Sequence, residues 1–150
     1  MTDQIYFEDV SEGDPITEHG TAVDSRQMFF FSAATYNGHR IHYDLKYATE
    51  VEGHPDVLVH GPLQSALMAK TLTDWIGPKG RLVRFSFQNR ASAVPGEDLK
   101  FVARVIGKRE ENGTPLVDLE FQELNGEGQV LMPGSATVSL PSRHSNGSGE

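Results

Sequence analysis

Apolar residues follow two different periods along this chain, and the change falls near residue 80. Residues 57–77 read VLVHGPLQSALMAKTLTDWIG. In this stretch Leu63, Ala66, Leu67, Met68, Ala69, Leu72, Trp75 and Ile76 cover most of a helical circumference. The clearest polar strip is Lys70, Thr73 and Asp74, spaced i, i+3, i+4. A helix that is apolar nearly all round is a buried one, so the pattern predicts a core helix over 62–76. Pro62 suits a first helical position, where its missing N–H costs nothing. Gly77-Pro78 stops the run. The preceding Val57-Leu58-Val59 reads as a short buried strand or turn.

Beyond the helix the period becomes two. Val83, Phe85 and Phe87 alternate with polar neighbours. So do Leu99, Phe101, Ala103 and Val105, then Val117, Leu119 and Phe121, then Ala136, Val138 and Leu140. Such alternation marks half-buried strands. Turn chemistry separates them at Pro95-Gly96-Glu97-Asp98, Glu111-Asn112-Gly113 and Asn125-Gly126-Glu127-Gly128, as in an antiparallel meander. Pro133-Gly134 inside the last run predicts a bulge or an edge. Before the helix, residues 16–23 read as a strand and Glu12-Gly13-Asp14 as a turn. Asp24 is placed to cap a helix running from Ser25 towards Tyr36. Met28, Phe29, Phe30, Phe31, Ala33, Ala34 and Tyr36 would give that helix a mostly buried surface. Residues 44–51 predict a short helical turn. The expected class is α+β, with a curved antiparallel sheet wrapped around one long central helix. The folded domain should span 1–141, and 142–150 form a polar tail expected to be disordered.

Composition narrows the function. A chain of 150 residues makes one domain. Its formal net charge of −8 argues against a nucleic-acid partner and against a hold on anionic membrane by charge. The central helix is too short and too polar to span a bilayer. There is no cysteine, which excludes disulfides, zinc–thiolate sites and thiol nucleophiles. The amino terminus lacks the basic and apolar regions of a signal peptide, so a cytoplasmic protein is expected.

Three of the six histidines fall on or beside two glycine-containing turns, together with Asn37, Arg40 and Asp44. His39 and His42 with Asp44 have the outline of a metal site, but no further ligand is compelled and no metal is expected. Ser65 lies within the helix and no nucleophile elbow surrounds it, so a Ser-His-Asp hydrolase is not expected. What remains is acid–base chemistry. His42 titrates near neutrality and can take and give a proton. Asn37 can orient a water but cannot act as a base. Gly61, at the start of a helix, could hold an oxygen on which negative charge develops, because it has no side chain to block the approach.

These residues, in this order, resemble the MaoC-like hydratases and dehydratases of the hot-dog fold. The loop Tyr36-Asn37-Gly38-His39-Arg40-Ile41-His42 is similar to that of one branch, the type 2 hydroxyacyl-thioester dehydratases and mesaconyl-CoA hydratases. His60-Gly61-Pro62 matches that branch's step into the central helix. The resemblance implies reversible hydration of a trans-2-enoyl thioester, carried on CoA or acyl-carrier protein, with no metal or redox cofactor. It implies catalytic roles for Asn37, His42 and Gly61, and substrate contacts from Tyr36, His39, Arg40, His60 and Pro62. It also implies a homodimer, or a higher oligomer of hot-dog dimers, with the site at the subunit interface. One departure stands out: the family's usual aspartate is Asn37 here. The base role then falls more heavily on His42, and Asp44 is a candidate substitute carboxylate. Two other functions fit a hot-dog chain. A thioesterase would need a carboxylate near the thioester, whereas Asp74 lies at the far end of the helix from Gly61. A non-catalytic acyl-CoA-binding partner subunit would fit the missing aspartate.

Overall fold

The chain is seen in a computed structural model that describes residues 4–144. The long helix, α2 (Gly61–Ile76), buries Gln64, Met68, Thr71, Leu72 and Ile76, while α1 (Ser25–Thr35) buries Met28 alone. Met68 and Leu72 are completely enclosed. The helix begins one residue earlier than Pro62. Its burial is less even than its composition implies: Pro62 and Ala66 face solvent. Two polar side chains lie inside instead, and each is satisfied by a nearby carbonyl. Gln64 donates to Val59 O at 3.2 Å and Thr71 to Leu67 O at 3.0 Å.

Five antiparallel strands wrap this helix: β1 (Pro15–Thr21), β2 (Arg81–Phe87), β3 (Leu99–Glu111), β4 (Thr114–Leu124) and β5 (Val130–Ser139), in the order β1-β3-β4-β5-β2. β3, β4 and β5 form the expected meander. The tight turn between β3 and β4 places Asn112 at φ 52° and Gly113 at φ 75°, the left-handed pair that matches strand twist. Leu99, Phe101, Val105, Val117, Leu119, Phe121 and Val138 line the core-facing side.

Three local expectations are corrected. Val83 is exposed, because β2 carries an irregularity between Leu82 and Arg84 that puts two successive side chains outside. Pro133-Gly134 is neither a bulge nor an edge. β5 is an interior strand, with Gly134 opposite Phe121 on one side and Phe87 on the other. A β-carbon at Gly134 would collide with the Phe121 ring and with Ser86 O, so packing rather than backbone freedom requires the glycine. Third, α1 is not a mostly buried helix: Phe29 and Phe30 are 64% and 61% exposed. Successive residues turn about 100° around a helix, so a run of aromatic residues cannot all face one core. The helix does start as expected, with Asp24 accepting from Gln27 N at 2.7 Å and Gln27 returning a bond to Asp24 N.

At the other end of the chain, the Arg143 guanidinium pairs with Asp9 and lies 4.5 Å over the Tyr6 ring. The remainder of the polar tail, 145–150, lies outside the described residues. Among the described residues, no helix is long and apolar enough to cross a membrane.

Candidate active site

The site is built where α1, the loop after it and the start of α2 meet. Tyr36 ends α1 in the left-handed conformation, φ 54°, and is almost fully exposed. This reverses the chain, and Asn37 N returns a bond to Ser32 O at 2.9 Å. Asn37 Oδ1 then accepts from His39 N at 3.1 Å, which leaves the amide NH2 as the end of that side chain without a partner among the described residues. A 3-10 turn (Arg40–His42) follows, capped by His39, whose ring nitrogen accepts from Ile41 N.

That turn delivers His42 against the extended segment entering α2. His42 Nδ1 lies 2.8 Å from Leu58 O. A carbonyl oxygen can only accept, so Nδ1 carries the proton and Nε2 keeps its lone pair. Burial pushes the imidazole below the ordinary histidine range. The Leu58 carbonyl pulls it part of the way back, and His39 adds a smaller downward push. His42 is therefore a neutral base at neutral pH, with its tautomer fixed by the backbone.

His60 stacks on His42, with ring centroids 3.8 Å apart and planes 18° from parallel. It is completely buried, and its Nε2 is 2.7 Å from Ser32 Oγ. Its Nδ1 has no hydrogen-bond partner among the described residues. Burial, with His42 adding to it, lowers its pKa to about 4. A neutral ring thus backs the base rather than a second cation that would repel its protonated form. Because His60 precedes Gly61, the stack also sets the start of α2 beside His42. As the first residue of the helix, Gly61 has no intrahelical acceptor for its N–H.

Asn37, His42, His60 and Gly61 therefore sit on adjoining pieces of one locus, and His39 lies beside His42 with ring centroids 6.0 Å apart. Arg40 is turned to other partners: both its Nε and Nη2 bond Asp44 Oδ2, and its guanidinium lies 4.2 Å over the Tyr47 ring. Asp44 is engaged by that arginine and by Tyr47 N at 3.0 Å. These contacts, the Tyr47 N–H first, hold its carboxyl below the usual range. It is a stabilised carboxylate rather than a strong base. Pro62 is the second residue of α2 and is exposed.

Three participants left no mark in the sequence: Ser32, Leu58 O and Asn89. Ser32 reaches His60 across 28 positions, and its spacing within an apolar helix carried no signal. Asn89 packs against Gly61, where a β-carbon would stand 2.6 Å from its Nδ2.

Comparison with known proteins bears on the family and the fold. Residues 6–95 match the family of hydroxyacyl-thioester dehydratase type 2. The chain is 38% identical over 117 residues to mesaconyl-C(4)-CoA hydratase of Chloroflexus aurantiacus. That match takes in 78% of this chain and 37% of the relative, so the chain spans little more than a third of that protein's length. In structure it is similar to R-hydratase PhaJ1 from Pseudomonas aeruginosa, with a TM-score of 0.83 at 22% identity over 93% of this chain and 88% of that one. The (R)-hydratase from A. caviae gives 0.78 at 18% identity over 88% and 98%. These neighbours share the hot-dog fold seen here. The chain is a member of the type 2 hydroxyacyl-thioester dehydratase family.

Proposed function

We propose that this domain catalyses the reversible hydration of a trans-2-enoyl thioester to the 3-hydroxyacyl thioester, with CoA or acyl-carrier protein as the carrier. The observation that supports it most is the pairing of two groups at one locus. His42 offers an unprotonated Nε2, and the start of α2, at Gly61, offers an N–H and the positive end of the helix dipole. In this reading the thioester oxygen lies at Gly61 N–H, which holds the negative charge that develops as water adds to C3. His42 Nε2 removes a proton from that water and returns it to C2 as the enolate collapses. The hydroxyl oxygen ends on C3 and the proton on C2, so one water is consumed and the thioester stays intact. Asn37 donates its amide to the water oxygen and orients it without competing as a base. The scheme uses no metal and no redox cofactor.

The remaining assignments follow the same reading. Tyr36, His39, Arg40, His60 and Pro62 frame the substrate, Arg40 from its place beside Asp44. Phe29, Tyr36 and Tyr43 border a cavity with Ser32, Asn37 and Gly38, and this apolar rim is the face a second copy would cover in a homodimer. A sedimentation mass of one chain would remove the dimer. The cytoplasm is the compartment we assign.

A thioesterase fits less well. Asp74 is 13 residues from Gly61, about 20 Å along the helix, and is paired with Lys70. The test is to incubate the purified chain with crotonyl-CoA and with mesaconyl-CoA while following enoyl absorbance and free thiol. Enoyl absorbance should fall with no thiol released, and His42→Ala should slow that loss by roughly 100-fold or more. Thiol release would mean a thioesterase. No change with either substrate would leave only a binding role.

A further inference from the structure

Gly61 is flanked by a side chain as well as by its own helix. A β-carbon at this position would lie 2.6 Å from Asn89 Nδ2 and 3.4 Å from Asn89 Oδ1, so the amide nitrogen is the nearer end. The Asn89 backbone is held on both sides. Gln88 N donates to Pro133 O at 3.0 Å, and Arg90 N donates to Leu131 O at 2.9 Å. Arg90 also reaches Gln88 Oε1 at 3.2 Å, bridging over the residue between them. The amide is thus an exposed donor on a fixed stretch of chain, set against the residue assigned to the thioester oxygen.

The geometry points to Asn89 as a second donor to that oxygen, beside Gly61 N–H; this rests on the hydratase reading above. In any amino acid the backbone nitrogen lies about 2.5 Å from the β-carbon position. The two donor nitrogens are therefore at most about 5 Å apart. One oxygen at about 2.9 Å from each can bridge such a pair. Two donors converging on the oxygen stabilise the enolate more than the helix start alone, because both are already in place when charge develops. Asn89 also explains the glycine: a methyl group at residue 61 would displace the amide from its post.

Crotonyl-CoA hydration by the wild-type chain, Asn89→Ala and Asn89→Asp provides the test, with each variant's melting temperature recorded. Asp has the shape of Asn but presents only acceptors. A donor role predicts that Asn89→Ala loses about 100-fold in kcat with a smaller change in KM, and that Asn89→Asp loses at least as much. If Asn89 only fills space or caps the helix, Asn89→Asp keeps its activity, because a carboxylate at a helix start is favourable. Asn89→Asp within about twofold of wild type would overturn the proposal and leave the hydratase reading standing. A wild-type chain inactive on every enoyl thioester would remove both. If Asn89→Ala melts early, Asn89→Asp alone decides.

Discussion

In the proposed mechanism His42 acts through the nitrogen that Leu58 leaves free, and this sets its expected pH behaviour. The base must be neutral, and burial lowers its pKa below the 6.5 of an ordinary histidine. Activity should therefore persist as pH falls through 6.5 and be lost only below it, which the acid limb of a kcat/KM profile reads directly. Asn37→Asp should keep activity and move that limb upward, since a carboxylate near an imidazole favours its charged form. An acid limb unmoved by Asn37→Asp would separate residue 37 from the base. Asn37→Ala should cost only about one positioned hydrogen bond. At this scale the sequence was partly readable. His42 and Gly61, proposed from proton chemistry and a glycine at a helix start, do lie at one locus. Ser32 and Asn89 did not, because each gains its role from a contact made by the fold, 28 positions along the chain in both cases.

Among the elements, α2 carries both core residues and one end of the candidate site. Its lower half anchors the fold through Met68, Leu72 and Ile76, and its first residue, Gly61, is the one proposed to hold the thioester oxygen. Leu72 is wholly enclosed, so Leu72→Ala should destabilise the fold by about 2–5 kcal/mol in a urea titration. Less than about 1 kcal/mol would mean that this face of the helix is not packed as described. β3 and β4 were legible because their alternation runs unbroken through Leu99–Val105 and Val117–Phe121. β2 was not, because an irregularity at Leu82–Arg84 exposes Val83, and period-two reasoning has no place for an extra residue. In β5, Pro133 and Gly134 signal an edge by their chemistry, yet Gly134 sits inside the sheet to make room for Phe121. α1 misled for a different reason. Its composition speaks of burial, and whether a second chain supplies it is not written in the helix itself.

Across the whole molecule, two buried groups act on stability in opposite directions. Glu123 is fully enclosed among the core strands, with both carboxylate oxygens unpartnered among the described residues. Burial first, and then Glu97, raise its pKa from 4.5 to about 7. The unfolded chain gives up this proton before the folded one does. Stability is therefore lost as pH rises from 4.5 through 7. His60 works the other way. Its pKa falls from 6.5 to about 4, so stability is lost as pH drops through that window. Between pH 4.5 and 6.5 the two offset each other. Glu123→Gln should unmask His60, giving a stability that climbs with pH over this range and a melting temperature several degrees above wild type near pH 8. Parallel pH profiles for the two proteins would contradict the buried carboxyl. The claim that most needs testing is that this chain alone adds water across an enoyl thioester. The direct measurement is mass spectrometry of the products after crotonyl-CoA is incubated with the purified chain in 18O-labelled heavy water. The account predicts a 3-hydroxybutyryl group still attached to CoA, with one 18O at C3 and one deuterium at C2. Labelled oxygen in a free carboxylic acid, or crotonyl-CoA returned unlabelled, would contradict it.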